Sequence, residues 1–354
     1  KALKTISNNI IKDYGGNVIA ITGSNGKTTT TNIIGQILKN NSKTLKNFNN
    51  EIGMPLSLMN ASSKSKNLIF EIGASKLNDI DYLSKILQPN VGLITNIGNS
   101  HLESLKNIEG VFKVKSEIVK NIKKNGFLVV PNDNKKHLNK WKKMRSDITT
   151  ISFGMKDDSD FYPIDVKIKQ NGLSFLVTSR LLKKPIKISS SLEGLHNVKN
   201  ILSACAVHYC LGQNPQDFSK SISLSKLDNL RQVKYKWLKG STLIDDSYNA
   251  NPDSTKKSID LLSNYNKKTV LLLGDMLELG RYKNKLHKEV GEYAKSKGIS
   301  KLIAFGNLTR HSIDGFGKNG IFFNDETKLK NNLRKNITSK NVILIKGSRG
   351  MKME

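Results

Sequence analysis

The six residues Gly23-Ser24-Asn25-Gly26-Lys27-Thr28 hold the groups that a phosphate cradle needs. Glycines let backbone N–H groups approach phosphate oxygens, a lysine reaches the terminal phosphates, and a threonine hydroxyl reaches Mg²⁺. The β-branched run "NVIAIT" (17–22) precedes the loop and a helical pattern follows it, the order that sets a helix N-terminus beneath an anion. One position departs from the common pattern G-x-x-x-x-G-K-[ST]: Ile21 stands where the first glycine would be. The loop therefore reads as a nucleotide site of unspecified kind, and a glycine-rich turn capping a helix shares its outline.

Acidic and basic residues beyond the loop narrow the chemistry. Glu71 ends the apolar run "NLIFEIG" (67–73), where an unpaired carboxylate is costly. It is either a Mg²⁺ ligand or half of a buried salt bridge. Asn96 and His101 follow the run "VGLITNIG" (91–98), and Lys115 comes fourteen residues after His101. Alone, that histidine and that lysine read equally as structural groups or solvated ones.

These side chains need elements to position them. The runs at 17–22, 67–73, 91–98 and "GFLVVPND" (126–133) each read as a buried strand ending in polar or glycine residues. Alternating with helical patterns, they predict a mostly parallel α/β sheet with its ligands at the carboxyl ends of the strands. From about 150 to 190 the pattern turns to short alternating segments around Asn171-Gly172, a hairpin signal, so a small antiparallel insertion is expected. "GLHNVKNILSACAVHYCLG" (194–212) predicts an amphipathic helix stopped by Gly212. A second, Rossmann-like α/β series begins after about 226, which gives domains of 1–226 and 227–354.

Composition sets outer limits. The chain has 354 residues, 37% of them hydrophobic and 25% charged, as in soluble globular proteins. No apolar stretch approaches the ~20 residues that span a bilayer, so no membrane insertion is expected and the cytoplasm is the default. Cys205 and Cys210 lack partners at metal-ligand spacing and read as buried thiols in a reducing compartment. The net charge of +29 suggests a nucleic-acid partner at first. Yet only seven of the 58 basic residues are Arg and the lysines are spread from end to end, which points to a compositional bias and against nucleic-acid binding.

Seven ordered blocks, "TGSNGKTTT", "EIG", "TNIGNSHLE" with "KSEI", "GLHNVKNILSA", "IDDSYNANPDS", "LLLGDMLELG" and "KGSRGMKME", resemble the Mur ligase family over essentially the whole chain. That family's phosphate loop is the shorter G-x-x-G-K-[ST], which accommodates Ile21. The resemblance implies an ATP-dependent amide ligase acting through an acyl phosphate. Its last three blocks are similar to those of members that join D-alanyl-D-alanine to UDP-N-acetylmuramoyl-tripeptide in peptidoglycan precursor synthesis. Carried over by motif, Gly23, Ser24, Asn25, Gly26, Lys27, Thr28 and Thr29 hold ATP, and Thr28 and Glu71 bind a first Mg²⁺. His101 and Lys115 serve a second Mg²⁺, with Lys115 carbamylated; Lys113 is nearby, but the K-x-E-I context favours Lys115. Asn197, Asp246 and Asn249 are implied near the adenine and ribose, and Arg231 near the phosphates, although Leu230 replaces the usual preceding glycine. Asn96, Asp275, Met276, Ser348 and Arg349 are implied for the substrates. A folylpolyglutamate synthase, another muramyl amino-acid ligase and a non-catalytic ATP-binding protein remain the alternatives. The chain opens on Lys1 and stops at Glu354, so both ends are expected to be cut and the family's N-terminal UDP-binding domain to be absent.

Overall fold

The computed structural model describes residues 2–169, 172–224 and 232–354. Its contacts divide into two compact units, Lys1–Gly98 with Asn107–Leu227, and Asn99–Lys106 with Asp228–Glu354.

The first unit is built on one nine-stranded sheet. Its strands are β1 (Asn17–Thr22), β2 (Asn41–Lys43), β3 (Asn67–Glu71), β4 (Val91–Ile94), β5 (Phe127–Pro131), β6 (Thr149–Phe153), β7 (Phe161–Lys169), β8 (Gly172–Ser179) and β9 (Ile186–Ser190), in the spatial order β2-β3-β1-β4-β5-β6-β7-β8-β9. The first six in that order are parallel, and the central ones read as continuous apolar runs because both of their faces are buried. From β1 the chain crosses to β2 and β3 on one side, then returns past β1 to β4 on the other. Such a reversal of strand order opens a crevice at the carboxyl ends of the strands. Register sets Ile21 of β1 opposite both Glu71 and Leu93, so the loops after β1, β3 and β4 leave the sheet at one edge.

The antiparallel segment expected near 150–190 is present, and it continues this same sheet. β7 joins β6 through the single parallel pair Phe161 and Phe153, then β7, β8 and β9 form a meander. The pairing of Lys169 with Gly172 closes the hairpin; Asn171 itself lies outside the described residues. Phe175, Val177 and Ile188 share a core with Ile19 and Ile21, which explains the attachment: alternate residues of the meander bury against the helix that covers the parallel strands.

That helix, Leu195–Cys210, ends as expected, with Gly212 at φ +65° and its N–H on the Tyr209 carbonyl. It is not amphipathic, since nearly every residue from Asn197 to Cys210 is buried. Packing against the helix Lys27–Ile37 and under the sheet leaves it little surface. Cys205 and Cys210 lie in this core, where burial pushes both thiols well above the ordinary range.

The second unit carries a six-stranded sheet, β10 (Val233–Trp237), β11 (Ser241–Asp245), β12 (Lys268–Gly274), β13 (Lys301–Phe305), β14 (Gly320–Phe323) and β15 (Asn341–Lys346), in the order β10-β11-β15-β12-β13-β14. All pairs are parallel except β10 with β11. Alternation along β12 is two-sided: Leu271 and Leu273 enter one core, Val270 and Leu272 the other. No helix among the described residues is long and apolar enough to cross a membrane.

Candidate functional site

In the first unit the phosphate-loop residues are fixed by their neighbours from β4. Gly23 (φ +143°) and Gly26 (φ +81°) take conformations that favour glycine, and the helix Lys27–Ile37 starts at Gly26 without a side-chain cap. Ser24 N–H donates to the Asn96 carbonyl (3.1 Å) and the Ser24 hydroxyl to that of Gly98 (3.1 Å). Asn96 buckles the loop from both sides, accepting from the Asn25 N–H (3.0 Å) and donating to the Asn25 carbonyl (2.7 Å). Lys27 Nζ lies over the loop on the Gly23 carbonyl (2.8 Å), and Thr29 follows half-buried on the first helical turn.

Thr28 points at the end of β3. Its hydroxyl donates to Glu71 Oε2 (2.8 Å), and the Asn49 amide donates to Glu71 Oε1 (2.7 Å). Glu71 is buried, so its charge sits in a dry place, with two neutral donors on its oxygens. The salt bridge considered as an alternative is not formed: among the described residues no cation pairs with this carboxylate. A hydroxyl beside a buried carboxylate oxygen suits a hard cation. The donor set therefore fits Mg²⁺. Among the described residues no group of three or more His, Cys, Asp or Glu is placed to hold a metal by itself.

Lys115, on the helix Ile108–Ser116, is 1% exposed. Burial pushes its ammonium down to about 7, and the charge of Lys27 adds to that, against opposing pulls from Asp79, Glu117 and Glu71. At neutral pH a large share of Lys115 is thus a free amine.

The second unit gathers its motif residues at the carboxyl ends of the adjacent strands β11, β15 and β12. Ser348 ties the three loops together: its hydroxyl accepts from the Leu277 N–H (2.8 Å) and donates to the Ala250 carbonyl (3.2 Å). Asp246 is buried, bonded to Lys346 Nζ (2.6 Å) and the Ser258 hydroxyl (2.6 Å). Asn249 is exposed, its side-chain Oδ1 accepting from the Ala250 and Arg349 N–H groups. Asp275 Oδ1 takes the N–H groups of Leu308 and Thr309, both at 2.9 Å, and so holds the start of the helix Arg310–Phe316. Met276 is fully buried, its N–H on His287 Nε2 (3.0 Å). Arg349 is exposed, paired with Glu354 (2.6 Å) and lying over the Tyr248 ring.

Comparison with known proteins agrees with this geometry. The family described as Mur ligase middle domain matches residues 21–208, and Mur ligase, glutamate ligase domain matches 231–349. The UDP-N-acetylmuramoyl-tripeptide--D-alanyl-D-alanine ligase of Bacillus subtilis is 34% identical over 100% of this chain and 78% of its own length. The chain belongs to the Mur ligase family. The ligase of the same name from Escherichia coli is 31% identical, over 95% of this chain and 75% of that protein. Among solved Mur ligases, MurF from Acinetobacter baumannii superposes with a TM-score of 0.91 at 27% identity, covering 99% of this chain and 78% of that one. MurF from Thermotoga maritima, in complex with ADP, gives 0.87 at 27%, over 99% and 81%.

Within this Mur ligase the expected residues divide. Gly23 to Thr29, Glu71, Asn96 and Lys115 come together in the first unit, and so does Asn197. Asn197 donates to the Glu193 carbonyl (2.7 Å) and accepts from Asn200 Nδ2 (2.8 Å), while Asn200 Oδ1 fills the space beside Gly26. His101 is grouped with the other unit. It lies in Asn99–Lys106, part of the second unit, with Nδ1 2.6 Å from Glu278 Oε2, and the contact holds the Glu278 carboxyl below its ordinary range. Arg231 lies outside the described residues. Asn49, Asn200, Lys346 and His287 were not singled out from the sequence, although Asn200, in "HNVKN", and Lys346, which opens "KGSRGMKME", sit inside motifs that could have flagged them.

Proposed function

We propose that this chain uses ATP to join D-alanyl-D-alanine to UDP-N-acetylmuramoyl-tripeptide, a step of peptidoglycan precursor synthesis. The observation that carries the reading is the Thr28–Glu71 contact beside the Lys27 loop, in a chain 34% identical to a ligase of that name. A carboxylate is a poor acyl donor, so its oxygen must first become a leaving group. The tripeptide's terminal carboxylate attacks the γ-phosphate, giving an acyl phosphate and ADP. The dipeptide amine then forms the amide bond as phosphate leaves and the ammonium proton is lost.

The helix N-terminus at Gly26–Thr28 would receive the phosphates, and Lys27 would neutralise charge on the transferred group. Thr28 and Glu71 would hold a Mg²⁺ ion, which when bound offsets charge on the phosphoryl oxygens. Lys115, as a neutral amine, would add to CO₂ and release a proton, turning a buried cation site into a carbamate anion. Asn197, one helical turn from Asn200 beside Gly26, would lie on the adenine side of the nucleotide. In the second unit the exposed Arg349 is a fork for the dipeptide carboxylate, while Asp246, Asp275, Met276 and Ser348 hold its loop in place. ATP and a UDP-linked substrate set the reaction in the cytoplasm.

The test is phosphate release that requires both substrates. Lys27→Ala is expected to lower turnover by about 10²- to 10³-fold or more. Turnover at the wild-type rate in that variant, or equal use of single amino acids in place of the dipeptide, would overturn the proposal.

A further inference from the structure

Glu71 is held by a residue that no motif marks. Asn49 belongs to a segment whose neighbours Asn47 and Phe48 are exposed, yet it is itself half-buried and turned toward β3. Two anchors fix it. Its carbonyl accepts the Gly73 N–H (2.7 Å), and its amide nitrogen donates to Glu71 Oε1 (2.7 Å). Gly73 leaves room for this approach, since a Cβ there would stand 2.8 Å from Asn49 Oδ1. The backbone beneath is pinned as well, by the Glu71 N–H on the Thr44 hydroxyl (2.7 Å).

We propose that Asn49 is a positioning residue that occupies Oε1 of Glu71 and thereby presents Oε2, on the Thr28 side, as a single-oxygen ligand for a divalent cation. The inference deepens the reading of Gly23–Thr28 and Glu71 as a Mg²⁺-nucleotide site and rests on it. A glutamate side chain rotates freely about its bonds and offers two equivalent oxygens. Fixing one before the cation arrives removes that freedom, and a small ion with strict octahedral geometry gains from a ligand already in place. The donor's neutrality matters too: Lys or Arg at this position would satisfy the carboxylate and compete with the metal, whereas an amide orients the charge without cancelling it.

The experiment measures ADP binding with EDTA and then Mn²⁺ binding to the ADP complex by electron paramagnetic resonance. Wild type is compared with Asn49→Ala, Asn49→Ser, Glu71→Gln and the Asn49→Ala/Glu71→Gln double variant. Loss of an outer-shell partner weakens metal binding by about 10-fold or more, so Asn49→Ala and Asn49→Ser should each weaken Mn²⁺ by that factor while metal-free ADP binding stays within about twofold. In the Glu71→Gln background, Asn49→Ala should have no further effect, because the residue acts through that carboxylate. Unchanged Mn²⁺ affinity overturns the assignment. So does a parallel loss of metal-free ADP binding, or additive effects in the double variant, since either marks a residue that only shapes the fold. Wild-type protein that fails to bind ADP in any condition overturns the nucleotide reading itself, an outcome visible before any variant is made.

Discussion

Among the described residues two lysines are almost wholly buried, one in each unit, and they are opposites. Lys346 at the end of β15 meets Asp246 at 2.6 Å, and its ammonium also donates to the Asn249 carbonyl (3.1 Å). Lys115 makes no ion pair among the described residues, and burial lowers its pKa to about 7. The first is a clamp: charge meets charge, and the loop Asp246–Asn249 is fixed against β15. The second is the one proposed above as a reagent, because a lysine that sheds its proton near neutrality gains nucleophilicity, which a paired one lacks.

The contrast can be broken at either side. The largest effect is expected at the clamp. Lys346→Met leaves a buried carboxylate uncompensated and should destabilise the protein by about 3–5 kcal/mol in urea unfolding. Removing both charges, Lys346→Met with Asp246→Leu, should recover most of that loss; a double variant as unstable as the single one would mean the pair is not a closed unit. Next comes Lys115→Ala, which should lower turnover by about 10²-fold, as for loss of one preorganised charge, and regain part of it with added short carboxylates. Full activity without them would remove Lys115 from the chemistry.

A smaller effect concerns pH. The folded value of Lys115, about 7, lies below the ordinary lysine value of about 10.4. Between those limits the unfolded chain binds a proton that the native one does not. Stability should therefore rise with pH through this window, by up to about 1.4 kcal/mol per pH unit, with the burial penalty fully present below it. In bicarbonate-free buffer Lys115→Met should lose that component of the slope. The smallest effect belongs to an exposed pair, Arg349 with Glu354. Glu354→Gln should change stability by less than about 1 kcal/mol, and a loss comparable to that of Lys346→Met would erase the distinction between buried and exposed pairs.

The same contrast explains what could be read from the sequence. Central strands buried on both faces write themselves as β-branched runs, and the phosphate loop is contiguous, so both were legible. Glu71 was legible because an acid inside an apolar run needs a reason. The Asp246 pair with Lys346 was not legible, since the partner lies 100 residues away and no local pattern announces it. The motif points to Asp275 and Met276 but does not disclose their packing, with Met276 in the core and Asp275 on the Leu308 and Thr309 N–H groups; a motif preserves a loop's architecture as readily as its chemistry. His101 meets Glu278, 177 residues away, a partner that no local pattern could name in advance.

The two cysteines have a practical consequence. Both are sealed in the helix Leu195–Cys210 with their thiolates suppressed, and the chain has no others. The native protein is therefore a silent background for thiol-directed probes. A single cysteine introduced at exposed Asn47 would carry a spin label or fluorophore at one defined address, beside the residue that grips Glu71.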